Sequence, residues 1–374
     1  MRALHLIAGN LYGGVEALLT LIARRRELAG DVEHHYGVCF EGRLAQELEA
    51  IGAPVHRLGN MRTSRPWTVL RGRRQLATLL REVRFDVAVT HSSWPHAMFA
   101  PVLARARVPS VFYLHNPLTK LGWLDRWAGR RSPTTLVAVS QHTLGTARRL
   151  FPDVHAQVLY HPILWDRRPE DAGARDEVRA ELGAEPSDVV LLQASRAEPW
   201  KGHDQLIAAV TELADVPGWR LWLAGGAQRP HEQAFMAKLR AQVARAGLAG
   251  RVQFLGERRD VPRLLAAADL YCQANRGPEG FSIVFMEAFG AGVPIVTMRL
   301  GGAPELIDEQ SGVLVPPGDV RGFAAALRGL IGDAPRRHAL GAHAKARLEE
   351  LCDPAARFGD LARILAEAAS RGGA

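Results

Sequence analysis

Leu270-Tyr271-Cys272-Gln273-Ala274-Asn275-Arg276-Gly277-Pro278-Glu279-Gly280-Phe281-Ser282-Ile283-Val284-Phe285-Met286-Glu287 reads as a strand, a loop and the start of a helix in quick succession. Leu270–Gln273 is a short apolar run with a strand's character. Pro278 and Gly280 make a loop after it, and the helix is expected to begin near Phe281–Ser282. Glu279 stands just before that helix, where a carboxylate can accept hydrogen bonds from hydroxyl groups of a ligand. The unpaired N–H groups of a helix start suit a phosphate. Glu287 follows about two turns later, inside the apolar run Ile283–Met286, where an unpartnered carboxylate is costly to bury. The eight-residue spacing alone carries little weight, because Glu33/Glu41, Glu41/Glu49 and Glu177/Glu185 share it. The place of the pair at a strand-to-helix junction gives it meaning.

Working outward, the same rhythm recurs along the chain. Apolar runs at Ala3–Ala8, Val87–Thr90, Ser110–His115 and Leu136–Ser140 alternate with amphipathic stretches. They are matched later by runs at Val189–Ala194, Arg220–Ala224, Val252–Leu255 and Pro294–Met298. This is the βαβ pattern of a parallel sheet covered by helices, and it occurs twice. A polar, proline-bearing break near His161–Ser187 separates the two occurrences. The expected organisation is one parallel-sheet α/β domain over 1–165 and a second over 166–352. A last helix over 353–374 can cross back to the first domain. Parallel sheets bind ligands beyond the carboxyl ends of their strands, so residues just after strands draw attention. Gly13-Gly14-Val15-Glu16 follows the first run and opens a helix. Ser195-Arg196-Ala197-Glu198-Pro199-Trp200-Lys201-Gly202 follows the first strand of the second domain and offers two cations to a diphosphate. Gly301-Gly302-Ala303-Pro304-Glu305 follows Pro294–Met298.

Taken in order, the glycine loop, the Arg-x4-Lys pair, the E-x7-E segment and the GGxxE turn resemble the retaining GT-B glycosyltransferases of family 4 over nearly the whole chain. The resemblance implies an α/β fold, GT-B, with two Rossmann-like domains facing a central cleft: an N-terminal acceptor-binding domain over 1–165 and a C-terminal nucleotide-sugar-binding domain over 166–352. It implies that Arg196 and Lys201 bind the donor diphosphate, with Gly14 contacting it from the other domain. Glu279 would hold the transferred sugar, assisted by the backbone of Gly280, Phe281 and Ser282, and Glu287 would bind ribose. Arg258 and Val261 belong to a segment similar to the one lining the base pocket. His115 matches the histidine near the reacting sugar; with Glu279, Arg196 and Lys201 it forms the expected catalytic set. Asn116, His91 and His96 are acceptor-side candidates, whereas His5, alternating within a strand, reads as structural. The donor is expected to be a UDP-sugar, with a GDP-sugar second, and no cofactor is called for. The acceptor is a hydroxyl in cell-surface polysaccharide, glycolipid or secondary-metabolite biosynthesis. A nucleotide-sugar epimerase or a phosphorylase on the same fold is the rival reading.

Composition sets the remaining bounds. The 374 residues are 47% hydrophobic and 23% charged, as in a globular protein of two domains. The net charge of +8 is uneven: residues 1–165 hold 21 Lys+Arg against 11 Asp+Glu. That half is therefore expected to meet something anionic. Nucleic acid is not expected, since no zinc-finger, helix-turn-helix or RNA-recognition pattern accompanies the charge. The sharper expectation concerns Ser64–Phe85: a helix capped by Ser64, with Pro66 in its first turn and Val69, Leu70, Leu76, Leu79, Leu80 and Val83 on one face. Its arginines make peripheral contact with an anionic membrane and a lipid-linked acceptor conceivable, although a solvated sheet-covering helix is the plainer reading. Three scattered cysteines, no signal-peptide pattern and no bilayer-spanning run point to the cytoplasm, at the inner membrane face where membrane is met. No Asp-x-Asp triplet occurs, so a metal-independent reaction is expected.

Overall fold

The computed structural model describes residues 1–10, 13–163, 173–227 and 229–372. The chain divides into one unit of Met1–Pro162 with Cys352–Ala374 and a second of Ile163–Leu351.

The first unit is built on a parallel sheet of β1 (Arg2–Ile7), β2 (Glu33–Val38), β3 (Val55–Arg57), β4 (Val87–His91), β5 (Ser110–Leu114), β6 (Thr135–Ala138) and β7 (Ala156–Val158). The strand order is β3-β2-β1-β4-β5-β6-β7. Every pairing in it is parallel. Its central strands are buried on both faces, which explains their near-continuous apolar runs. The runs near β1, β4, β5 and β6 were legible for that reason. β2 was not, because Glu33, His34 and His35 interrupt it. β3 and β7 are three-residue edge strands that are largely half-buried, so they lack an apolar signature. Chain order reverses between β1 and β4, which makes their carboxyl ends the switch point of this sheet. The final helix, Pro354–Gly372, buries Phe358, Leu361, Ile364, Leu365 and Ala368 at helical spacing. Phe358 and Leu361 line a small apolar space with Leu18, Ile22 and Tyr113 of this unit.

The helix expected at Ser64 spans Pro66–Glu82, and Arg65 rather than Ser64 is its cap residue. Val69, Leu76 and Leu79 are buried as expected, but Leu70 is 55% exposed beside Trp67 at 65%. Leu70 falls on the solvent side because Gly72 packs inward: a Cβ there would stand 2.3 Å from the Met61 sulfur.

The second unit contains β8 (Val189–Ala194), β9 (Trp219–Ala224), β10 (Val252–Gly256), β11 (Leu270–Gln273), β12 (Ile295–Met298) and β13 (Gly312–Val315). Its order is β10-β9-β8-β11-β12-β13. Trp219, Leu221, Leu191, Leu270, Val296, Phe323 and Leu327 are among the residues of its core. The switch point lies between β8 and β11, the strands that carry the Arg196–Lys201 loop and the Glu279 loop. The opening stretch matches the structure closely: β11 ends at Gln273, and the helix runs Ile283–Gly290 with Ser282 as its cap residue.

Candidate active site

At the β8/β11 switch point two loops are held together through backbone. The Arg276 amide donates to the Trp200 carbonyl at 2.9 Å. Gly202, with φ +72°, lies so close to Ala274 that a Cβ would stand 1.6 Å from its carbonyl oxygen. This register delivers Lys201 Nζ to Glu279 Oε1 at 2.7 Å. The same oxygen accepts from Gln273 Nε2 at 2.5 Å and from Asn275 Nδ2 at 3.1 Å. Burial would raise the Glu279 pKa. The Lys201 charge and hydrogen bond, with Ser282 and Asn275, bring it below the usual carboxylate value. Lys201 also lies over the Trp200 ring, 4.2 Å from its centroid. Gly301, at φ +62°, backs this arrangement: a Cβ there would be 2.1 Å from the Glu279 carbonyl oxygen, and the Gly302 amide donates to that oxygen at 2.9 Å. The Gly301-Gly302 turn is thus a brace for the Glu279 backbone.

A cavity of 220 Å³ opens at the carboxyl ends of β8, β9 and β10, bordered by the start of the loop that carries Lys201. Arg196, Arg258, Val261 and Glu287 line it with Ser195, Gly225, Gly226 and Glu257. Four of the residues expected at a donor site therefore share one wall. Arg196 is partly exposed and donates to Glu198 at 2.9 Å. Arg258 forks onto Asp260 at 2.8 and 2.7 Å and reaches Glu181 at 2.9 Å, so its charge is already answered by carboxylates. Gly280, Phe281 and Ser282 are buried ahead of the helix. Burial pushes the half-buried Glu287 up to about 7.

In the first unit, Gly14 is the first residue of the helix Gly14–Arg24, with Gly13 as its cap residue. The turn residues at 11 and 12 lie outside the described residues. His115 follows β5 directly; it is 5% exposed, and its Nδ1 has no hydrogen-bond partner among the described residues. Asn116 beside it is exposed. The other two histidines need correction as acceptor contacts. Both ring nitrogens of His91 are engaged, Nδ1 with His115 at 2.9 Å and Nε2 with His5 at 3.0 Å. His96 is fully buried between Phe112 and Phe151, with Thr90 on one nitrogen and the Arg131 carbonyl on the other. Neither has a ring atom left for a ligand.

Residues 12–163 match the profile of Glycosyltransferase Family 4, and residues 174–347 match that of Glycosyl transferases group 1. The lipopolysaccharide core biosynthesis mannosyltransferase LpsB of Rhizobium meliloti is 30% identical over 249 residues, covering 66% of this chain and 68% of that protein. The chain belongs to glycosyltransferase family 4. This glycosyltransferase is also similar to a GDP-mannose-dependent monoacylated alpha-(1-6)-phosphatidylinositol monomannoside mannosyltransferase of Corynebacterium glutamicum. The identity is 29%, over 73% of this chain and 74% of that one. The crystal structure of HepE of Anabaena, in complex with UDP, superposes with a TM-score of 0.86 and 26% identity over 98% of this chain and 100% of that one. The two parallel-sheet units are the Rossmann-like domains of a GT-B glycosyltransferase.

Two residues beside the Lys201–Glu279 pair belong to none of the motifs. Gln273 and Asn275 both donate to Glu279, and both are buried. A signal existed: Gln273 closes an otherwise apolar strand, and a fully buried amide needs a partner. Glu287 leads to a pH-dependent prediction. Its carboxyl is neutral in the folded protein up to about 7, whereas the unfolded reference is 4.5. Folding therefore binds a proton between those values, and stability falls as pH rises through that window. Glu287→Gln removes the effect. It should stabilise the protein at pH 8 by up to about 3 kcal/mol, and by less than about 1 kcal/mol at pH 5. Urea denaturation at the two pH values checks this; an equal gain at both would remove the raised carboxyl.

Proposed function

We propose that this glycosyltransferase moves a hexose from a UDP-sugar to a hydroxyl of a cell-surface polysaccharide or glycolipid acceptor, with retention at the anomeric carbon. The observation that carries the proposal is the Lys201–Glu279 pair at the β8/β11 switch point. It places a cation for the leaving diphosphate next to a carboxylate for sugar hydroxyls. Arg196 and Glu287 on the adjoining cavity wall suit the second charge of the diphosphate and the ribose diol. The UDP complex of the similar HepE supports uridine; the GDP-mannose named for the Corynebacterium relative supports guanosine as the second reading.

In this reading the bond from the anomeric carbon to the diphosphate oxygen breaks as positive charge grows on the sugar ring. Lys201, Arg196 and the amides at the Ile283 helix start meet the charge that develops on the departing oxygen. The acceptor hydroxyl attacks from the face the diphosphate leaves, and its proton passes to the diphosphate. His115, whose Nδ1 has no hydrogen-bond partner among the described residues, offers a hydrogen bond to the acceptor. A thermal-shift series decides the donor. UDP-glucose at a hundredfold excess over its Kd should stabilise the protein by about 2.7 kcal/mol. A shift with GDP-mannose alone would make guanosine the base. NMR of the product's anomeric configuration tests retention, and diphosphate release that needs no acceptor would favour a different reaction.

The helix Pro66–Glu82 supports a peripheral contact with anionic lipid. Trp67 and Leu70 are exposed on the rim of a 1080 Å³ groove against β3, together with Arg71 and Arg74. Exposed apolar side chains beside cations suit an interfacial site. Among the described residues, no helix is long and apolar enough to cross a membrane. Vesicles containing phosphatidylglycerol should sediment the protein, and the double variant Trp67→Ser/Leu70→Ser should bind less. Equal binding to phosphatidylcholine vesicles alone would rule against an electrostatic contact.

A further inference from the structure

Four buried histidines cross the first sheet in one diagonal line. His34 on β2 pairs in register with Ala3; His5, two residues further along β1, pairs with Val89 of β4. His91, two residues on, pairs with Tyr113 of β5, and His115 lies two residues beyond that. Each step moves one strand across and two residues up. Side chains alternate along a strand, so all four imidazoles share one face. They are joined without interruption: His34 Nδ1 to His5 Nε2 at 2.8 Å, His5 Nδ1 to His91 Nε2 at 3.0 Å, and His91 Nδ1 to His115 Nε2 at 2.9 Å. Every link joins an Nδ1 to an Nε2. At the two ends, His34 Nε2 and His115 Nδ1 are buried without a hydrogen-bond partner among the described residues.

A neutral imidazole donates through one nitrogen and accepts through the other. Because the links run head to tail, an unbroken neutral chain has only two states. Either all four rings carry the proton on Nδ1, or all four carry it on Nε2. Mixed states would set two N–H groups, or two lone pairs, against each other at a buried link, and an unmade buried hydrogen bond is costly. We propose that His34, His5, His91 and His115 form one tautomer-coupled chain, in which His34, His5 and His91 are positioning residues that decide whether His115 presents an N–H or a lone pair at Nδ1. In the first state His115 Nδ1 is a donor and His34 Nε2 is an acceptor; in the second the roles exchange. The importance of His115 to a ligand rests on the function proposed above, whereas the coupling among the rings does not.

The surroundings keep the rings neutral. Burial, followed by neighbouring imidazoles, holds His5, His91 and His115 well below the ordinary histidine value, and burial first and then His35 bring His34 to about 4. The groups stacked against the chain are Tyr36 at His5, Tyr113 at His91 and His115, and His161 at His115. His161 is itself held at about 4 by burial.

Long-range 1H–15N NMR of the full chain labelled with 15N-histidine tests the proposal, with rings assigned by single substitution. At pH 7 the four rings should be neutral and share one tautomer. Opposite tautomers on two linked rings, or a charged ring among the four, would overturn it. His5→Phe cuts the chain and should change the nitrogen shifts of His34 or of the His91–His115 pair, while His91 and His115 still agree with each other. His161→Phe, which removes a ring stacked on His115 but none of the three links, should leave the tautomers as they were. Should His5→Phe fail to fold, His34→Phe at the chain end serves instead. It should shift His115 and lower kcat several-fold with donor KM unchanged. Unaltered His115 shifts and kcat would remove His34 as a positioning residue. These spectra stand apart from the donor assay: a shared tautomer in a protein that transfers no hexose would sink the proposed function and leave the chain intact.

Discussion

Lys201→Ala is expected to lower kcat by about 10²–10³-fold, the usual loss when one preorganised group facing developing charge is removed. Lys201 is the partner of Glu279 at 2.7 Å, and both side chains are mostly buried, at 14% and 13% exposure. Removing the ammonium leaves a buried carboxylate with two amide donors, Gln273 and Asn275. Those amides soften the penalty of an orphaned charge, so the stability cost should be about 1–3 kcal/mol. Chemistry and folding can be separated. The double variant Lys201→Met/Glu279→Gln carries no unpaired charge and should recover most of that stability, because replacing both partners of a buried pair is far cheaper than removing one. It should recover none of the activity. Denaturation curves and an assay of diphosphate release give the two readouts. Activity restored in the double variant would show that Lys201 serves only the fold.

Gly202→Ala is expected to be nearly as damaging without touching a charged group. The new Cβ would stand 1.6 Å from the Ala274 carbonyl oxygen, at a residue with φ +72°. The left-handed conformation costs an L-residue roughly 1–2 kcal/mol by itself. The overlap is with backbone, so no side-chain rotation relieves it, and one of the two loops must move. A total cost of about 3–5 kcal/mol follows, with a fall in Tm on the order of 10 °C for a domain of this size. Lys201 is the preceding residue, and a displacement of about 1 Å there should cost on the order of 10²-fold in kcat. Gly247 supplies the control. Its φ is +70°, but nothing lies within 4 Å of a Cβ placed on it. Gly247→Ala should therefore carry only the conformational cost and keep full activity. Equal losses in the two variants would mean that strain, not the loop contact, is what Gly202 avoids.

Legibility in the sequence followed burial. Strands covered on both faces, such as β4, β8 and β11, are continuous apolar runs and stand out. β2 carries Glu33, His34 and His35, and β3 and β7 are short edges, so neither period nor hydropathy marks them. The candidate site was legible where a motif combines a strand end with a helix start, as in Arg196–Lys201 and Glu279–Glu287. It was illegible where function depends on which neighbour a side chain meets. His91 and His115 look alike as histidines at strand ends. Only the register gives His91 two imidazole partners and leaves the His115 Nδ1 without one among the described residues.

The Glu279–Glu287 stretch shows the same division. Order along the chain alone makes this segment a strand, a loop and a helix in one of two parallel α/β halves. Apolar periodicity and the placement of proline and glycine are local properties of the chain, and they suffice for that. What the two carboxylates are depends on their surroundings in the fold. Three donors, from the β8 loop and from the end of β11 and its loop, converge on Glu279 and hold it ionised, while Glu287, eight residues on and inside the helix that follows, is raised to about 7 by burial. Charge state depends on desolvation and on partners brought from distant parts of the chain. Those appear only when Gly202 and Gly301 let the loops close against each other.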